Sequence, residues 1–503
     1  MGTFYYGNIT AQLQHLMGSM AWLYPELTLA LLLPVLLLAG ILVPERLRNV
    51  VMPAILLSGI ALSMYFVWDQ AGYLTGALQR SWFLGMIHID GMSVLFRLLG
   101  GLAAGISALI ALVSPPKGGI KTEFWLFMAT ALLGMYFLSM ASNLLMVFLS
   151  LEMISISSYL MTGYMRDEPR SAEAALKYII YGSVATAAFL YGASLLYGIS
   201  GTLDFMSADF VQALSRQPKV WVWLAFLLLW SALAFKVAAF PFHFWNPDVY
   251  EGAPAFVTAF LANGPKITAL ALIIRITEPF RDLPEGDMAF ALLSITALVT
   301  MFAGNTAAFA QTHLHRLLAW SGIAHTGYML AAIAVNTPAS QGALVWYSFI
   351  YILANTGAFM VAGILKNRTG TVDIRDLKGA GPDIMMPGVV LMLCLATLGG
   401  LPPTAGFFAK FNLFLPVLGA WQASDSPMLL VLFLAMVLNT ILSLYYYLRP
   451  AAWMFLKPAE KRRAVYLSPV QQVFVILPAI AVLIAGILGI TTLAGWMYRL
   501  MEL

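Results

Sequence analysis

The chain has 503 residues, of which 61% are hydrophobic and only 10% are charged, and its formal net charge is +4. Its mean hydropathy is +0.84. This composition argues against a soluble protein of several domains, a disordered chain and a nucleic-acid-binding protein, because each of these needs more polar or charged residues. It predicts a polytopic membrane protein whose main surroundings are the lipid bilayer.

The apolar segments predict α-helices rather than the strands of a barrel. Runs such as residues 27–43 and 220–233 are apolar on every face, whereas barrel strands alternate polar and apolar residues. Proline, glycine and charged residues divide the chain into about 14 transmembrane helices, which makes the fold class all-α. The predicted helices are 23–43, 50–67, 92–113, 123–140, 142–163, 172–198, 219–243, 254–275, 288–310, 313–334, 341–365, 388–418, 428–448 and 470–496.

Two of the predicted helices are interrupted by proline, and each contains a lysine. Lys236 is followed by Pro241 in FKVAAFPFHFWNPD, and Lys410 follows Pro402 and Pro403 in GGLPPTAGFFAK. Irregular backbone at membrane depth is tolerated where it is buried in protein or lines a water-filled cavity. A pair of broken helices is typical of transporters built from inverted repeats.

We therefore predict two inverted five-helix repeats, each with a broken helix. The predicted division is 1–121 for helices one to three, 122–276 for the first repeat, 287–450 for the second repeat, and 451–503 for a connecting loop and the last helix. The first repeat contains helices four to eight and the second contains helices nine to thirteen. Because each repeat has an odd number of helices, the second is inverted in the membrane.

Lysine and arginine are distributed unequally between the two sets of alternate connections. One set carries sixteen of them: Arg46, Arg48, Lys117, Lys121, Arg166, Arg170, Arg316, Lys366, Arg368, Arg375, Lys378, Arg449, Lys457, Lys461, Arg462 and Arg463. The other set carries seven: Arg80, Arg97, Arg216, Lys219, Arg275, Arg281 and Arg499. The positive-inside rule places the first set in the cytoplasm, and an even number of helices then places both termini on the periplasmic side.

Five ionisable residues fall inside the apolar runs: Glu152, Lys177, Lys236, Lys266 and Lys410. Each costs about 2.5–3.5 kcal/mol at a helix centre, so that a functional role is the default interpretation. Burial in general favours the neutral forms of amines and carboxyls, which lets such groups exchange protons near neutral pH. We predict a buried proton relay. A structural pair that only fixes helix packing is the alternative, and Lys177 could instead extend to the lipid headgroups.

Other polar residues are weaker candidates. His243 and His325 could shuttle protons, although a structural role is nearly as well supported. Asp248 and Glu251 are expected to cap the turn before the eighth helix, with an entrance funnel as the alternative. The sequence has no Cys/His cluster with metal spacing, no GxGxxG turn and no phosphate loop, so we predict no metal or cofactor site in this chain. Sodium transport fits less well, because lysine does not coordinate cations.

Five long stretches resemble a known family. They are SNLLMVFLSLEMISISSYLMTGY (142–164), EAALKYIIYGSVATAAFLYGASLLYG (173–198), KVAAFPFHFWNPDVYEGAPAFVTAFLANGPK (236–266), HRLLAWSGIAHTGY (315–328) and GGLPPTAGFFAKF (399–411). They are similar to the antiporter-like membrane subunits of respiratory complex I, the bacterial NADH:quinone oxidoreductase, and most of all to its NuoN-type subunits. The resemblance covers about residues 25–500.

The resemblance implies a proton-translocating subunit of a translocase, with no redox active site of its own. NADH, FMN, iron–sulfur clusters and quinone would bind in partner subunits, and the other membrane-arm subunits would be its protein partners in a bacterial inner membrane. Glu152 would tune the seventh-helix Lys236, Lys266 would be the central lysine of the eighth helix, and Lys410 would lie near the outer exit. Lys177 matches the sixth-helix lysine.

The resemblance leaves alternatives open. A cation/proton antiporter, or the equivalent subunit of a membrane hydrogenase or photosynthetic complex, would share this core, and a purely structural scaffold is a third possibility. One motif also departs from the family. Where members often have NLKRLLAYSSIAH, this chain has HLHRLLAWSGIAH, so that His315 replaces the usual lysine and His313 is added. We expect both histidines at the cytoplasmic surface of a helix end.

Overall fold

Apolar runs of this length become helices because a backbone in lipid must satisfy its hydrogen bonds within the segment. The computed structural model describes residues 17–74, 81–83, 85–115, 119–165, 167–284, 286–458, 466–488 and 493–501. The two chain termini lie outside the described residues. So do six of the basic residues that were used to orient the chain: Arg80, Lys117, Arg166, Lys461, Arg462 and Arg463.

The described part of the chain contains 18 α-helices and one two-stranded antiparallel ribbon, which confirms the all-α class. The ribbon consists of β1 (Ser81–Trp82) and β2 (Ile87–His88). The helices are α1 (Tyr24–Leu42), α2 (Glu45–Ala71), α3 (Gly91–Val113), α4 (Thr122–Met140), α5 (Leu144–Thr162), α6 (Pro169–Ser200), α7 (Ala208–Ser215), α8 (Lys219–Lys236), α9 (Trp245–Gly252), α10 (Ala255–Arg281), α11 (Asp287–Ala310), α12 (Leu314–Val335), α13 (Pro338–Thr369), α14 (Met385–Gly399), α15 (Ala405–Ser424), α16 (Pro427–Leu456), α17 (Pro469–Leu488) and α18 (Leu493–Met501).

Thirteen helices within the described residues are long and apolar enough to cross a membrane. The predicted helix 388–418 is divided in two, into the 15-residue apolar α14 and the following α15. Counted together, this broken pair brings the number of membrane-crossing segments to the predicted total of about 14. The division into two inverted repeats stays a prediction.

Three helices form the centre of the molecule. Within the most apolar 18-residue stretch of each helix, the share of buried residues is 100% in α10, 94% in α13 and 89% in α12. In α6 this share is only 28%. The outer helices nevertheless expose large apolar side chains such as Leu31 and Val184. This pattern is expected where lipid covers the outer surface and protein covers α10, since both surroundings are apolar.

Both predicted helix breaks are present. Helix α8 ends at Lys236, and Ala238 then takes a positive φ of 56°. Helix α14 ends at Gly399, and Gly400 has a φ of 78°. Side chains satisfy some of the freed backbone groups, because Trp245 Nε1 donates to Phe235 O over 3.1 Å. The breaks therefore place polar backbone beside Lys236 and Lys410.

Two ion pairs connect the N-terminal helices, the first with one another and the second with the central α10. Arg97 Nη1 donates to Glu26 Oε1 over 3.0 Å, and both side chains are almost fully buried. Arg275 Nη2 donates to Asp90 Oδ1 over 2.6 Å. Burial raises the pKa of Asp90, but the Arg275 guanidinium, His88 and the hydrogen bond from Ser93 N together outweigh this and hold that pKa below its usual value.

The assignment of Arg97 and Arg275 to the connections between helices was therefore wrong. Both lie within helices, and both are at most 1% exposed. Each lies near a predicted helix end, where charge usually reaches water, but an acidic partner distant in the sequence instead binds it inside the bundle.

Candidate functional site

Lys236 and Glu152 both line a small cavity between α5, α6 and α8. Lys236 is 5% exposed and donates a hydrogen bond from Nζ to Ser155 Oγ over 3.0 Å. Thr186 Oγ1 donates to Glu152 Oε1 over 2.8 Å. Glu152 and Ser155 share a face of α5 because they are three residues apart. The cavity, of about 20 Å³, has room for about one water molecule.

The carboxylate and the amine are close without being in contact. Among the described residues, the ion pairs within 4.0 Å do not include Glu152 with Lys236. Their polar neighbours are hydroxyl groups, which can both donate and accept hydrogen bonds. A small shift of either side chain would therefore change the electrostatic interaction of the pair.

Lys266 lies at the middle of the buried α10. It is 2% exposed, and its Nζ donates to Gly322 O over 2.9 Å. Thr326 Oγ1 lies 3.0 Å from the same carbonyl and 2.8 Å from Val237 O, beside Lys236. Because a hydroxyl has one hydrogen, Thr326 donates to one of these carbonyls at a time. The Thr326 hydroxyl thus lies within hydrogen-bond distance both of Val237 O, just past the end of α8, and of the Gly322 carbonyl that binds Lys266.

His325 is surrounded by hydroxyl groups. Tyr347 Oη lies 2.5 Å from its Nδ1, and Tyr447 Oη lies 2.9 Å from its Nε2. Tyr447 Oη also contacts Ser321 Oγ over 2.5 Å. In a neutral imidazole one nitrogen donates and the other accepts, so each tautomer requires a different direction of these hydrogen bonds. A proton transferred through His325 would reverse them.

Lys410 is the third buried lysine of the site. It is 3% exposed, and its Nζ donates over 3.1 Å to Gly399 O, a carbonyl freed at the helix break. Its ammonium lies 5.1 Å from the centre of the Tyr328 ring. His325 and Lys410 together line a cavity of about 10 Å³. The three buried lysines are therefore separated by hydroxyl groups, an imidazole and small cavities.

Lys177 is placed differently, in a partly exposed group that we call the ion cluster: Glu173, Lys177, Asp248, Glu251 and Arg316. Lys177 Nζ lies 2.7 Å from Glu173 Oε1 and 2.8 Å from Asp248 Oδ2, and its side chain is 39% exposed. Arg316 Nη1 binds Asp248 Oδ1 at 2.9 Å and Glu251 Oε2 at 2.7 Å. These residues surround an open pocket of about 260 Å³.

The expected capping role of Asp248 and Glu251 was wrong. The residue before α10 is Pro254, and no side chain caps that helix. Burial raises the pKa of Asp248, but its hydrogen bonds with Lys177 and Arg316 outweigh this, and the pKa is lowered. Asp248 and Glu251 thus form ion pairs with basic residues of α6 and α12. The open pocket that they line agrees with the alternative interpretation, an entrance funnel.

A family model described as "NADH:quinone oxidoreductase/Mrp antiporter, TM" matches residues 141–443, which is more than half of the chain. The chain belongs to this family. All seven predicted site residues lie in the matched part. The family resemblance inferred from the motifs is therefore confirmed.

Curated relatives of this family cover nearly the whole chain. The "NAD(P)H-quinone oxidoreductase subunit 2" of Microcystis aeruginosa is 37% identical over 484 residues, which are 93% of this chain and 91% of the relative. The "NADH-quinone oxidoreductase subunit N 2" of Chloroherpeton thalassium is 34% identical over 424 residues, 82% of this chain and 81% of the relative.

Two solved structures have a similar fold. A chain of respiratory complex I from Thermus thermophilus with bound aureothin has a TM-score of 0.74 and 29% identity, and the match covers 93% of this chain and 98% of that chain. A chain of the Mrp complex from Dietzia sp. has a TM-score of 0.80 at 20% identity, covering 95% of this chain and 97% of that chain, and this likeness concerns the fold alone.

Two histidines of this family member do not contact the buried lysines. His243 is buried against the rings of Phe240, Phe244 and Trp320, and its Nδ1 has no hydrogen-bond partner among the described residues. His315 is 0% exposed, so that its expected surface position was wrong. The sequence placed it at a helix end, but the ring of Phe359 on α13 covers it, with ring centres 5.9 Å apart.

Sequence reasoning missed the hydroxyl groups between the charged residues: Ser155, Thr186, Ser321, Thr326, Tyr347 and Tyr447. Single serine, threonine and tyrosine residues are common in membrane helices, so their letters carry little signal. Only the four-residue spacing of Tyr347 and Tyr351, which puts both on one face of α13, could have indicated a polar stripe.

Proposed function

We propose that this chain is the proton-translocating membrane-arm subunit of an NADH:quinone oxidoreductase in a bacterial inner membrane, with both termini periplasmic. The observation that carries the proposal is the succession of Glu152, Lys236, Lys266, His325 and Lys410 across one helical bundle, in which Glu152 is partly buried and the other four are buried. Buried amines without a carboxylate within ion-pair distance are costly in a membrane, and proton transfer is the chemistry that makes use of them.

The electron chemistry belongs to other subunits. NADH, flavin, iron–sulfur clusters and quinone would bind in partners, and their redox reaction would act on this chain through the neighbouring membrane-arm subunits. The names of the curated relatives support this assignment, since they are subunits of quinone oxidoreductases. The two predicted repeats would each contribute half of the path.

The first transfer would depend on the distance between Glu152 and Lys236. Approach of the carboxylate stabilises the Lys236 ammonium and favours proton uptake, whereas withdrawal toward Thr186 favours release. The released proton would pass by the Thr326 hydroxyl and a bound water to Lys266. His325 and its tyrosines would then carry it to Lys410, beside the broken α14–α15 pair and the periplasmic exit.

A cation/proton antiporter is the second candidate. The fold shared with the Mrp complex favours it, although at 20% identity this likeness extends no further than the fold. Metal-binding groups of three or more His, Cys, Asp or Glu residues are absent from the described residues. Lysine does not coordinate cations and its ammonium form repels them, so the buried lysines favour proton transfer.

The test uses Lys266→Met in the intact complex. In inverted membrane vesicles, proton uptake driven by NADH oxidation should fall at least about tenfold, a conservative loss for one positioned proton-transfer group. Lys121→Met is the matched control, because Lys121 is an exposed lysine outside the buried path, and it should leave transport unchanged. Assembly is checked by native gel. Full transport by a normally assembled Lys266→Met complex would reject the proposal.

A further inference from the structure

His315 is a buried histidine that no part of the proposed path uses. Among the described residues, neither Nδ1 nor Nε2 of its ring has a hydrogen-bond partner. Its nearest aromatic neighbours are His313 and Phe359, with ring centres at 5.7 and 5.9 Å. A buried imidazole with two unpartnered nitrogens is costly, and a protein keeps such a group only where something offsets the cost.

Further unpartnered polar atoms continue from His315 toward the centre. They are Tyr250 Oη, Asn355 Oδ1 and Tyr351 Oη, all of which are buried. Tyr351, Asn355 and Phe359 are spaced by four residues and therefore share one face of α13. We call His315, Tyr250, Tyr351 and Asn355 the polar column. Its members come from three elements, so no single helix explains it.

The column ends at Lys266. A Cβ on Gly322 would lie 3.0 Å from Tyr351 Oη and 3.5 Å from Lys266 Nζ, so that both polar atoms meet at this glycine. Asn355 Nδ2 donates to Asn263 Oδ1 over 3.0 Å, one turn of α10 from Lys266. This bond fixes the asparagine and leaves its Oδ1 available to hold a water.

The length of the column suits a short chain of waters. His315 and Gly322 are seven residues apart on α12, which corresponds to about 10 Å along the helix axis. Three to four hydrogen bonds of about 2.8 Å span such a distance. The ring of Phe359 lies across the column, with its centre 5.9 Å from both His315 and Tyr250. Rotation of this ring would open or close the route.

We propose that His315 is a proton-transfer residue that takes protons from the side of the ion cluster and delivers them to Lys266 through water held by Asn355 and Tyr351. This route bypasses Glu152 and Lys236, and it rests on the proposed function of Lys266. The imidazole binds a proton on one nitrogen and releases one from the other, and the neutral Lys266 amine accepts it. Charge is conserved at each transfer.

The test compares two replacements of His315 in the intact complex in vesicles. His315→Gln keeps hydrogen-bonding capacity but cannot titrate, and it should lower NADH-driven proton uptake at least about tenfold. His315→Lys restores a titratable nitrogen and should recover at least half of the wild-type rate. His88→Gln, at the ribbon, is the matched control and should leave transport unchanged. Wild-type rates in an assembled His315→Gln complex would overturn the proposal.

A second variant separates this route from packing, and comparison with Lys266→Met separates it from the proposed function. Tyr351→Phe removes one hydroxyl from the column and should also slow uptake, whereas Tyr136→Phe, a buried tyrosine bonded to Ser63, should not. Equal losses in His315→Gln and His315→Lys would assign His315 a purely structural role and overturn the inference. Loss in Lys266→Met with full transport in His315→Gln would reject only this route, while full transport in Lys266→Met would reject the proposed function itself.

Discussion

Replacement of Gly322 by alanine tests whether the space around the Lys266 ammonium is needed for transfer. The new methyl group would lie 3.0 Å from Tyr351 Oη and 3.5 Å from Lys266 Nζ. The first distance is too short for an unstrained contact, so Tyr351 must move by a few tenths of an ångström. The second places an apolar group where solvent would approach the amine. The Gly322 carbonyl that binds Lys266 is retained.

The expected size of the effect follows from these contacts. Overpacking of a buried site costs about 1–3 kcal/mol, and we take about 1 kcal/mol because the Tyr351 hydroxyl has no partner among the described residues to lose. If this cost raises the activation barrier of the proton-transfer step, the rate of proton uptake decreases roughly fivefold. Alanine also has a better helix propensity than glycine by about 1 kcal/mol, so α12 itself should not be weakened.

The assay is the initial rate of NADH-driven proton uptake in inverted vesicles, normalised to the amount of assembled complex. Gly198→Ala is the matched control, because a Cβ at that helical position would meet nothing within 4 Å. It should transport at the wild-type rate. An unchanged rate in Gly322→Ala would refute the reasoning that the ammonium needs this space. Equal losses in both variants would show a general effect of alanine in these helices.

Three further predictions concern stability and the Glu152 site. Glu26→Gln leaves the buried Arg97 guanidinium without its carboxylate and should cost about 3–5 kcal/mol, seen as a lower thermal midpoint of the purified complex. The double variant with Arg97→Met should recover most of the loss, and a wild-type midpoint for the single variant would show that the pair does not stabilise the fold. Because the pKa of Asp248 is lowered from 3.8, its stabilising contribution should be constant above about pH 4 and lost as the pH falls further. The difference in thermal midpoint between wild type and Asp248→Asn should therefore shrink only below about pH 4, and shrinkage toward pH 8 would contradict this. Thr186→Val removes the hydrogen bond to Glu152 and should slow proton uptake roughly tenfold, since a bond to a charged group contributes about 1.5 kcal/mol, whereas Thr186→Ser should transport normally.

The sequence alone determined the fold class, the number of membrane-crossing segments and the charged residues that required an explanation. In lipid each helix satisfies its own backbone, so that a local pattern of apolar residues, prolines and glycines is enough to locate it. The same local reasoning identified Lys236, Lys266 and Lys410, because an amine within a long apolar run has no solvent to reach except through the protein.

The tertiary structure decided which polar groups meet. Glu26 and Arg97 are 71 residues apart in the chain, and Lys177 and Asp248 are also 71 residues apart, so no local pattern relates them. Lys177 resembles the other lysines in sequence, yet it lies in the partly exposed ion cluster. The burial of His315 depends on a phenylalanine of another helix. Burial and hydrogen bonding of a side chain are properties of the helices packed against it, and that packing is set by contacts between segments far apart in the sequence.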